Sequence, residues 1–249
     1  MDQKLEEEEL AEGTLLSHLV ELRSRLLIIA ISVVVVFICM LPFSRDIFTV
    51  ISDPLREVLP GNAMIATAVA SPLLTPFKLT FFAALFLVMP IVLFQVWTFI
   101  APGLYKKEKR FAIPLFMTSI LLFYSGIAFA YFVVFPLMFG FFTSVAPEGV
   151  EVQTDIAQFL DFITTIVFAF GIAFEVPVAT VLVVWAGLTD TKKLGKARPY
   201  VFLMAFVAGM FLTPPDIISQ TLLAVPVYLL YELGIIMSKV FVIKKTDDE

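Results

Sequence analysis

Long stretches without a single charged residue most constrain what this chain can fold into. They cover residues 26–44, 79–105, 111–147, 162–188 (interrupted only by Glu175) and 199–231 (interrupted only by Asp216). A helix rises about 1.5 Å per residue, so about 20 residues cross the roughly 30 Å of bilayer hydrocarbon. The whole chain is 60% hydrophobic with a mean hydropathy of +0.97. These features predict an all-α integral membrane protein, with the bilayer as its solvent.

The last stretch contains two adjacent prolines, Pro214 and Pro215, followed by Asp216. Each proline removes a helical hydrogen bond and clashes with the preceding turn, so the pair predicts a tight turn and six spans instead of five. The apolar part of the fifth span, residues 200–212, would be only about 20 Å long, which requires a thinned bilayer or a sunken turn. We expect a single membrane domain over residues 1–249, with an acidic tail at 1–13 and a second tail at 239–249. The spans are expected at about residues 24–44, 76–100, 111–142, 159–187, 199–213 and 217–238.

The distribution of basic residues predicts the orientation of these spans. With six spans, both termini and the second and fourth loops lie on one side of the membrane, and that side holds 14 of the 17 basic residues. They are Lys4, Arg23, Arg25, Lys106, Lys107, Lys109, Arg110, Lys192, Lys193, Lys196, Arg198, Lys239, Lys244 and Lys245. Because cytoplasmic loops are enriched in Lys and Arg, both termini are predicted to be cytoplasmic. The opposite, outer side has long segments at 45–75 and 146–161 that are rich in turn residues, and we expect them to form a structured cap.

Polar residues inside the spans are the candidate functional groups. Glu175 lies near the middle of the predicted fourth span, where a carboxylate must be protonated, paired or facing a wet cavity. It could serve in function or lock helices together by a hydrogen bond. Asp216 is predicted to cap the sixth helix. Gln95 and Gln220 are expected to hydrogen-bond another helix, within this protein or in a partner.

Two carboxylates at the cytoplasmic side have simple structural explanations. Glu21 and Arg25 are spaced i, i+4 in a leucine-rich amphipathic helix that leads into the first span, so a salt bridge would account for both. Glu108 lies within the basic segment 106–110, where it could be an ordinary solvated charge.

The residue inventory excludes several classes of site. His18 is the only histidine and Cys39 the only cysteine, which rules out an internal disulfide, histidine-rich metal sites and Ser/His or Cys/His catalysis deeper in the chain. An intramembrane hydrolase has no recognisable catalytic set here, and neither enzymatic activity nor a cofactor is implied. A proton- or cation-coupled secondary transporter using Glu175 and Asp216 is the main alternative function, although the sequence shows none of the internal repeats typical of such transporters.

Several segments together resemble the TatC family, the receptor subunit of the twin-arginine protein translocase. The resemblance covers nearly the whole chain. It lies in His18-Leu-Val-Glu-Leu-Arg23, Met64-Ile-Ala-Thr, Ser71-Pro72, Thr75-Pro-Phe-Lys-Leu-Thr80, Gln95-Val-Trp-Thr-Phe-Ile-Ala-Pro-Gly-Leu-Tyr105, Phe129-Ala-Tyr-Phe-Val-Val-Phe-Pro136, Ala169-Phe-Gly-Ile-Ala-Phe-Glu-Val-Pro177 and Leu212-Thr-Pro-Pro-Asp216 with Ser219-Gln220. It implies a cupped, six-span fold with short fifth and sixth helices and a periplasmic cap that Pro54 helps to shape.

By this resemblance, Glu21 and Glu108 would bind the two arginines of a cargo signal peptide. Arg23, Phe99, Leu104 and Tyr105 would shape the same site. Guanidinium groups pair two N–H donors with one carboxylate, and lysine cannot reproduce that geometry.

The resemblance also implies partners for the other end of the molecule. Met210, Thr213 and Gln220 would contact the single-span subunits TatA and TatB, and Glu175 would lie in a membrane cavity. The implied function is Sec-independent export of folded cargo across the bacterial inner membrane, driven by the proton motive force. Homo-oligomerisation within a TatB–TatC complex is expected, and nucleic acid is not an expected partner.

Overall fold

The computed structural model describes the backbone of residues 2–56, 64–100, 109–145, 153–213 and 216–247, and the side chains of 19–53, 64–99, 113–145, 153–213 and 216–240. The described elements are almost entirely helical, as predicted. They are α1 (Asp2–Met40), a 3₁₀ turn (Leu41–Phe43), α2 (Ser44–Arg56), β1 (Met64–Ile65), α3 (Ser71–Ile100), α4 (Lys109–Phe129), a π-helical turn (Ala130–Val134), α5 (Phe135–Ser144), β2 (Thr154–Asp155), α6 (Ile156–Ala173), α7 (Val176–Trp185), α8 (Thr191–Leu212) and α9 (Ile217–Asp247).

Within the described ranges, five helical segments are long and apolar enough to cross a membrane. They are Leu19–Asp53, Ser71–Phe99, Ile113–Ser144, Ile156–Trp185 and Ile217–Val240. Helix α8 corresponds to the predicted fifth span, which is not among these five segments, and its first turns contain Lys192, Lys193, Lys196 and Arg198. Its apolar part is therefore short, in agreement with the short fifth span predicted from the sequence.

Two predicted spans contain irregular turns beside a proline. The third span changes from α4 to α5 through the π-helical turn, which ends just before Pro136. The fourth span is interrupted at Phe174 and Glu175, between α6 and α7. Pro177 lacks an N–H group and its ring clashes with the carbonyl four residues earlier, which explains why the helix ends there. The predicted fourth span corresponds to the apolar segment Ile156–Trp185, and the sequence analysis did not foresee the helix break beside Glu175.

Several helices extend beyond the predicted apolar boundaries. Helix α8 begins at Thr191, so the basic residues assigned to the fourth loop lie on its first turns. Asp190 caps this helix, because its carboxylate accepts a hydrogen bond from the Lys193 amide. Helix α9 is 31 residues long, so the sixth helix is longer than predicted and most of the predicted C-terminal tail is helical. Helix α1 likewise includes the acidic N-terminal segment. Apolar stretches mark the membrane-crossing part of a helix, not its ends.

The predicted outer cap contains regular structure that the turn signals did not reveal. Helix α2 occupies the first part of the segment 45–75, and β1 pairs in parallel with β2, Met64 opposite Thr154. The Tyr131 hydroxyl of the π-helical turn donates a hydrogen bond to the Ile51 carbonyl of α2. Lys78 at the start of α3 forms an ion pair with Asp161 in α6. The first contact fastens α2 to the π-helical turn, and the second joins α3 to α6.

Aromatic side chains fill the centre of the helix bundle. Phe135 and Phe170 are fully buried in a cluster that joins α5, α6 and α9, and Phe139 packs on Phe159 with ring centroids 5.6 Å apart. In a bilayer the lipid is as apolar as these side chains, so their burial excludes no water. The bundle is stabilised by close packing and ring contacts.

Candidate functional site

Glu21 in α1 forms an ion pair with Arg25 one turn later. Both Nε and Nη2 of Arg25 donate hydrogen bonds to the same oxygen, Oε1 of Glu21, at 3.1 and 2.5 Å. The remaining terminal nitrogen of Arg25, Nη1, donates to Oε1 of Gln95 in α3 at 3.2 Å. The predicted salt bridge is thus confirmed, and so is the prediction that Gln95 bonds another helix of this protein.

This pair is partly sheltered by the packing of α1 on α3. The side chain of Arg25 is 17% exposed, whereas that of Glu21 is 33% exposed. Among the described residues, none donates a hydrogen bond to the second oxygen of Glu21, Oε2. The site therefore contains a partly exposed carboxylate with one oxygen, Oε2, that no described residue bonds.

Of the other residues predicted for this site, the structure describes Arg23 and Phe99. Arg23 is exposed on α1, and it forms no ion pair with another side chain in the described part of the chain. Phe99 lies one turn after Gln95 on α3 and hence on the same helix face. Glu108, Leu104 and Tyr105 fall outside the described residues.

Glu175 lies at the break between α6 and α7 and is held by a residue of α4. The Ser119 hydroxyl donates a hydrogen bond of 2.6 Å to Oε2 of Glu175. The other oxygen, Oε1, is buried and has no partner among the described residues. Glu175 is thus paired, one of the alternatives that the sequence left open, and the sequence did not identify Ser119 as the partner.

The predicted partner-contact residues lie at the end of α8 and the start of α9. Asp216 caps α9, since its Oδ1 accepts a 2.7 Å hydrogen bond from the Ser219 amide, as predicted. Thr213 is buried and bonds the Gly209 carbonyl at 2.9 Å, whereas Met210 is 52% exposed. Gln220 is half-buried and its backbone lies against Gly209.

Two buried polar atoms at this turn lack a partner among the described residues, namely Asp216 Oδ2 and Ser219 Oγ. An apolar groove of about 510 Å³ lies nearby, lined by residues of α3, α6, α8 and α9. Its walls include Phe82, Phe168, Leu212, Leu223 and Val227.

Comparison with known proteins assigns the chain to a family. The family model described as Sec-independent protein translocase protein (TatC) matches residues 17–226. The chain belongs to the TatC family.

Relatives named Sec-independent protein translocase protein TatC agree over most of their length. The protein of Azotobacter chroococcum mcd 1 is 61% identical over 222 residues, covering 89% of this chain and 87% of the relative. That of Escherichia coli K12 is 56% identical over 236 residues, covering 94% and 92%.

Two crystal structures of the twin-arginine translocase receptor TatC, one of them in DDM, have the same fold as this TatC-family chain. They are 34% identical to it, with TM-scores of 0.80 and 0.81, and this chain covers 98% and 99% of them. The family membership confirms the resemblance seen in the sequence. It also confirms that the chain is a multi-pass membrane protein of the protein translocase class. It does not support the secondary transporter considered as the alternative.

The TatC-family chain has a cap site that sequence analysis missed. Oδ2 of Asp155 accepts hydrogen bonds from the amide and hydroxyl of Thr67 at 2.9 and 2.6 Å. Its Oδ1 accepts from the amides of Ala157 and Gln158, which caps α6. These bonds to the ionised form lower the pKa of Asp155 to about 2, with the Thr67 hydroxyl as the largest cause. Pro54, predicted to shape the cap, lies in α2, and its side chain is outside the described residues.

A further ion pair joins α8 to α9 in the TatC-family chain. Nε and Nη2 of Arg198 in α8 donate to the two oxygens of Glu232 in α9 at 2.6 and 2.7 Å. Tyr231, next to Glu232, donates to the Leu194 carbonyl at 2.8 Å. These contacts fix α8 against α9. In the described ranges, no group of three His, Cys, Asp or Glu side chains could hold a metal ion.

Proposed function

We propose that this TatC-family chain is the receptor that recognises twin-arginine signal peptides at the cytoplasmic face of the bacterial inner membrane. It would then assemble TatA and TatB around the folded cargo, with the proton motive force as the source of energy. In this proposal both termini are cytoplasmic and the six spans are those predicted from the distribution of basic residues.

The single observation that supports the receptor proposal most is the state of Glu21. Its carboxylate lies where α1 enters the predicted membrane segment, it is one-third exposed, and its Oε2 receives no hydrogen bond from a described residue. The Arg25 contact demonstrates that this carboxylate accepts a guanidinium in the folded protein. A second arginine of the signal peptide would bind Glu108 in the following cytoplasmic loop.

The chemistry of the two cations explains why arginine would be selected. Guanidinium presents two parallel N–H donors that match a carboxylate, and it is less strongly hydrated than an ammonium group. Near the membrane surface, where part of the hydration is lost, this difference favours arginine over lysine. Two carboxylates held apart by the fold would therefore read two consecutive arginines.

The proposal is tested by measuring peptide binding to the purified protein in lipid nanodiscs. A twin-arginine signal peptide is compared with its Lys-Lys version on the wild type, Glu21→Gln and Glu108→Gln. We expect the Arg-Arg peptide to bind at least about tenfold more tightly, about 1.4 kcal/mol, and either substitution to reduce the difference. Equal binding of the two peptides, with and without TatB present, would refute the receptor role.

The end of α8 and the start of α9 support the assembly part of the proposal. An exposed Met210, a half-buried Gln220 and the adjoining apolar groove offer a surface on which a single transmembrane helix could pack. The unpartnered Asp216 Oδ2 and Ser219 Oγ are polar atoms that a hydrogen-bonding group of such a helix would satisfy. TatA and TatB are the proposed occupants.

A further inference from the structure

The guanidinium of Arg25 already holds Oε1 of the carboxylate that the receptor proposal assigns to the cargo, so only Oε2 is left and a forked contact to both oxygens requires that Arg25 give way. Two of its nitrogens converge on Oε1 of Glu21, so the carboxylate and the guanidinium neutralise one another in the unliganded protein. An approaching cation therefore meets a neutral pair instead of a free negative charge. The attraction between the cargo arginine and Glu21 is reduced by this internal contact.

Gln95 gives Arg25 an acceptor that does not depend on Glu21. Nη1 of Arg25 donates to the Gln95 amide oxygen at 3.2 Å, on a different helix from Glu21. The Arg25 side chain is also the more sheltered member of the pair, at 17% exposed against 33% for Glu21. When the Glu21 contact breaks, Arg25 retains a hydrogen bond and its place between α1 and α3. These contacts are therefore compatible with a second arrangement, in which Glu21 holds another guanidinium and Arg25 keeps its bond to Gln95.

We infer that Arg25 is a built-in competitor for the signal-peptide site, which the cargo arginine displaces from Glu21. This inference rests on the proposed function and adds a regulatory element to the same site. The incoming guanidinium replaces the two N–H contacts to Glu21, while Arg25 stays bonded to Gln95. Arg25 is in this sense a positioning residue that sets the affinity of the site.

A built-in competitor changes absolute affinity and leaves selectivity unchanged. The apparent dissociation constant is the intrinsic one divided by the fraction of molecules in which Glu21 is open. That fraction is the same for every ligand, so Arg25 weakens Arg-Arg and Lys-Lys peptides by one common factor. A ligand whose intrinsic affinity is already low then no longer binds at the concentrations at which a tighter ligand still does.

The experiment is peptide binding to the full-length chain in nanodiscs, with the Arg-Arg and Lys-Lys peptides. Arg25→Gln should tighten binding of both peptides by the same factor, about two- to fivefold, as expected from the modest strength of partly exposed ion pairs. Arg25→Lys keeps the charge but loses the forked geometry, and it should give a smaller increase. Arg198→Gln is the matched control, because it removes an arginine from another carboxylate pair on the same predicted face and should leave binding unchanged.

A double-mutant cycle separates competition from a general effect on folding or charge. In a Glu21→Gln background, Arg25→Gln should no longer change the affinity, because no carboxylate is left to release. Unchanged or weaker binding by Arg25→Gln, with a normal thermal transition, would overturn the competitor role. So would a gain that persists in the Glu21→Gln background. If the wild type binds the two peptides equally, the receptor proposal fails; if it prefers Arg-Arg and Arg25→Gln gains nothing, only the competitor fails.

Discussion

Ser119 donates a hydrogen bond of 2.6 Å to Glu175, and this contact joins the middle of α4 to the break between α6 and α7. The two residues are 56 positions apart in the chain. Because Oε1 of Glu175 is buried without a partner among the described residues, the Ser119 hydroxyl is the one described group that satisfies this carboxyl. The contact therefore fastens the helix break beside Pro177 to α4.

Ser119→Ala should lower the stability of the protein. The substitution leaves both oxygens of a buried carboxyl without a hydrogen bond, at a cost of about 1–3 kcal/mol. The measurement is thermal or denaturant unfolding in detergent, read by loss of monodisperse protein. Ser125→Ala is the control, since that hydroxyl of α4 bonds only the Leu122 carbonyl of its own helix. An equal loss in both variants would mean that the Ser119–Glu175 contact is not the cause.

Glu175→Ala should reduce export of a twin-arginine reporter in cells while the protein remains folded and abundant. Ionisable groups within a membrane are expensive to keep, and a function is the usual reason that they persist. Comparison with Glu175→Gln, which retains an acceptor for Ser119, separates the hydrogen bond from the acidic group. Unchanged export in Glu175→Ala, at wild-type protein levels, would make this residue dispensable.

Gly234→Ala should destabilise the packing of α9 on α7. A Cβ atom at this position would lie 2.0 Å from Oγ1 of Thr180 and 2.9 Å from Cα of Pro177, so the helices must separate. Overpacking of this kind costs about 1–3 kcal/mol. Gly140→Ala is the matched control, because a Cβ there meets no atom within 4 Å and alanine is the better helix former. The thermal unfolding temperature should fall in Gly234→Ala and stay the same or rise in Gly140→Ala. Equal shifts in the two variants would contradict the close approach of α9 to α7.

The sequence predicts those features of this fold that depend on local chemistry. Uncharged stretches located the long apolar helices, the proline pair located the break between α8 and α9, and Asp216 was identified as the cap of α9. Pro214 and Pro215 themselves lie outside the described residues. Each of these effects acts between residues a few positions apart. The Glu21–Arg25 pair was predictable for the same reason, since i, i+4 residues are neighbours on a helix.

Contacts between distant segments were not predictable in this way. Thr67 and Asp155 are 88 residues apart, and nothing in either neighbourhood indicates that β1 and β2 pair. Ser119 is a small polar residue in an apolar stretch, which is a weak signal for an interhelical hydrogen bond. The sequence did not predict the helix ends either, because α8 and α9 continue into charged segments that hydropathy assigns to loops.

The Asp155 site should make the outer cap sensitive to acid. Its folded-state pKa of about 2 is below the ordinary value of 3.8, so the folded protein binds fewer protons than the unfolded one near pH 3. This stabilisation is fully present above about pH 5 and is lost as the pH falls through about 4 towards 2. The protection factor of the Thr67 amide, which is the intrinsic exchange rate divided by the observed rate at the same pH, should fall over that range because this amide bonds Asp155. Asp155→Asn should show a low protection factor at neutral pH and little further change in acid; protection equal to that of the wild type would exclude the carboxylate as its source.

Photo-crosslinkers at the end of α8 should distinguish a docked partner helix from mere contact with lipid. If TatA or TatB packs at the turn before α9, a probe at Met210 or Gln220 should capture it, and one at the buried Thr213 should capture it less efficiently. Met204 is the control, because it is on the same helix, is 61% exposed against 52% for Met210, and lies on a different face. Exposure alone would make Met204 crosslink at least as well as Met210, whereas a specific site favours Met210. Crosslinks to lipid only, or equal capture of TatB from both methionine positions, would therefore remove this surface from the assembly proposal.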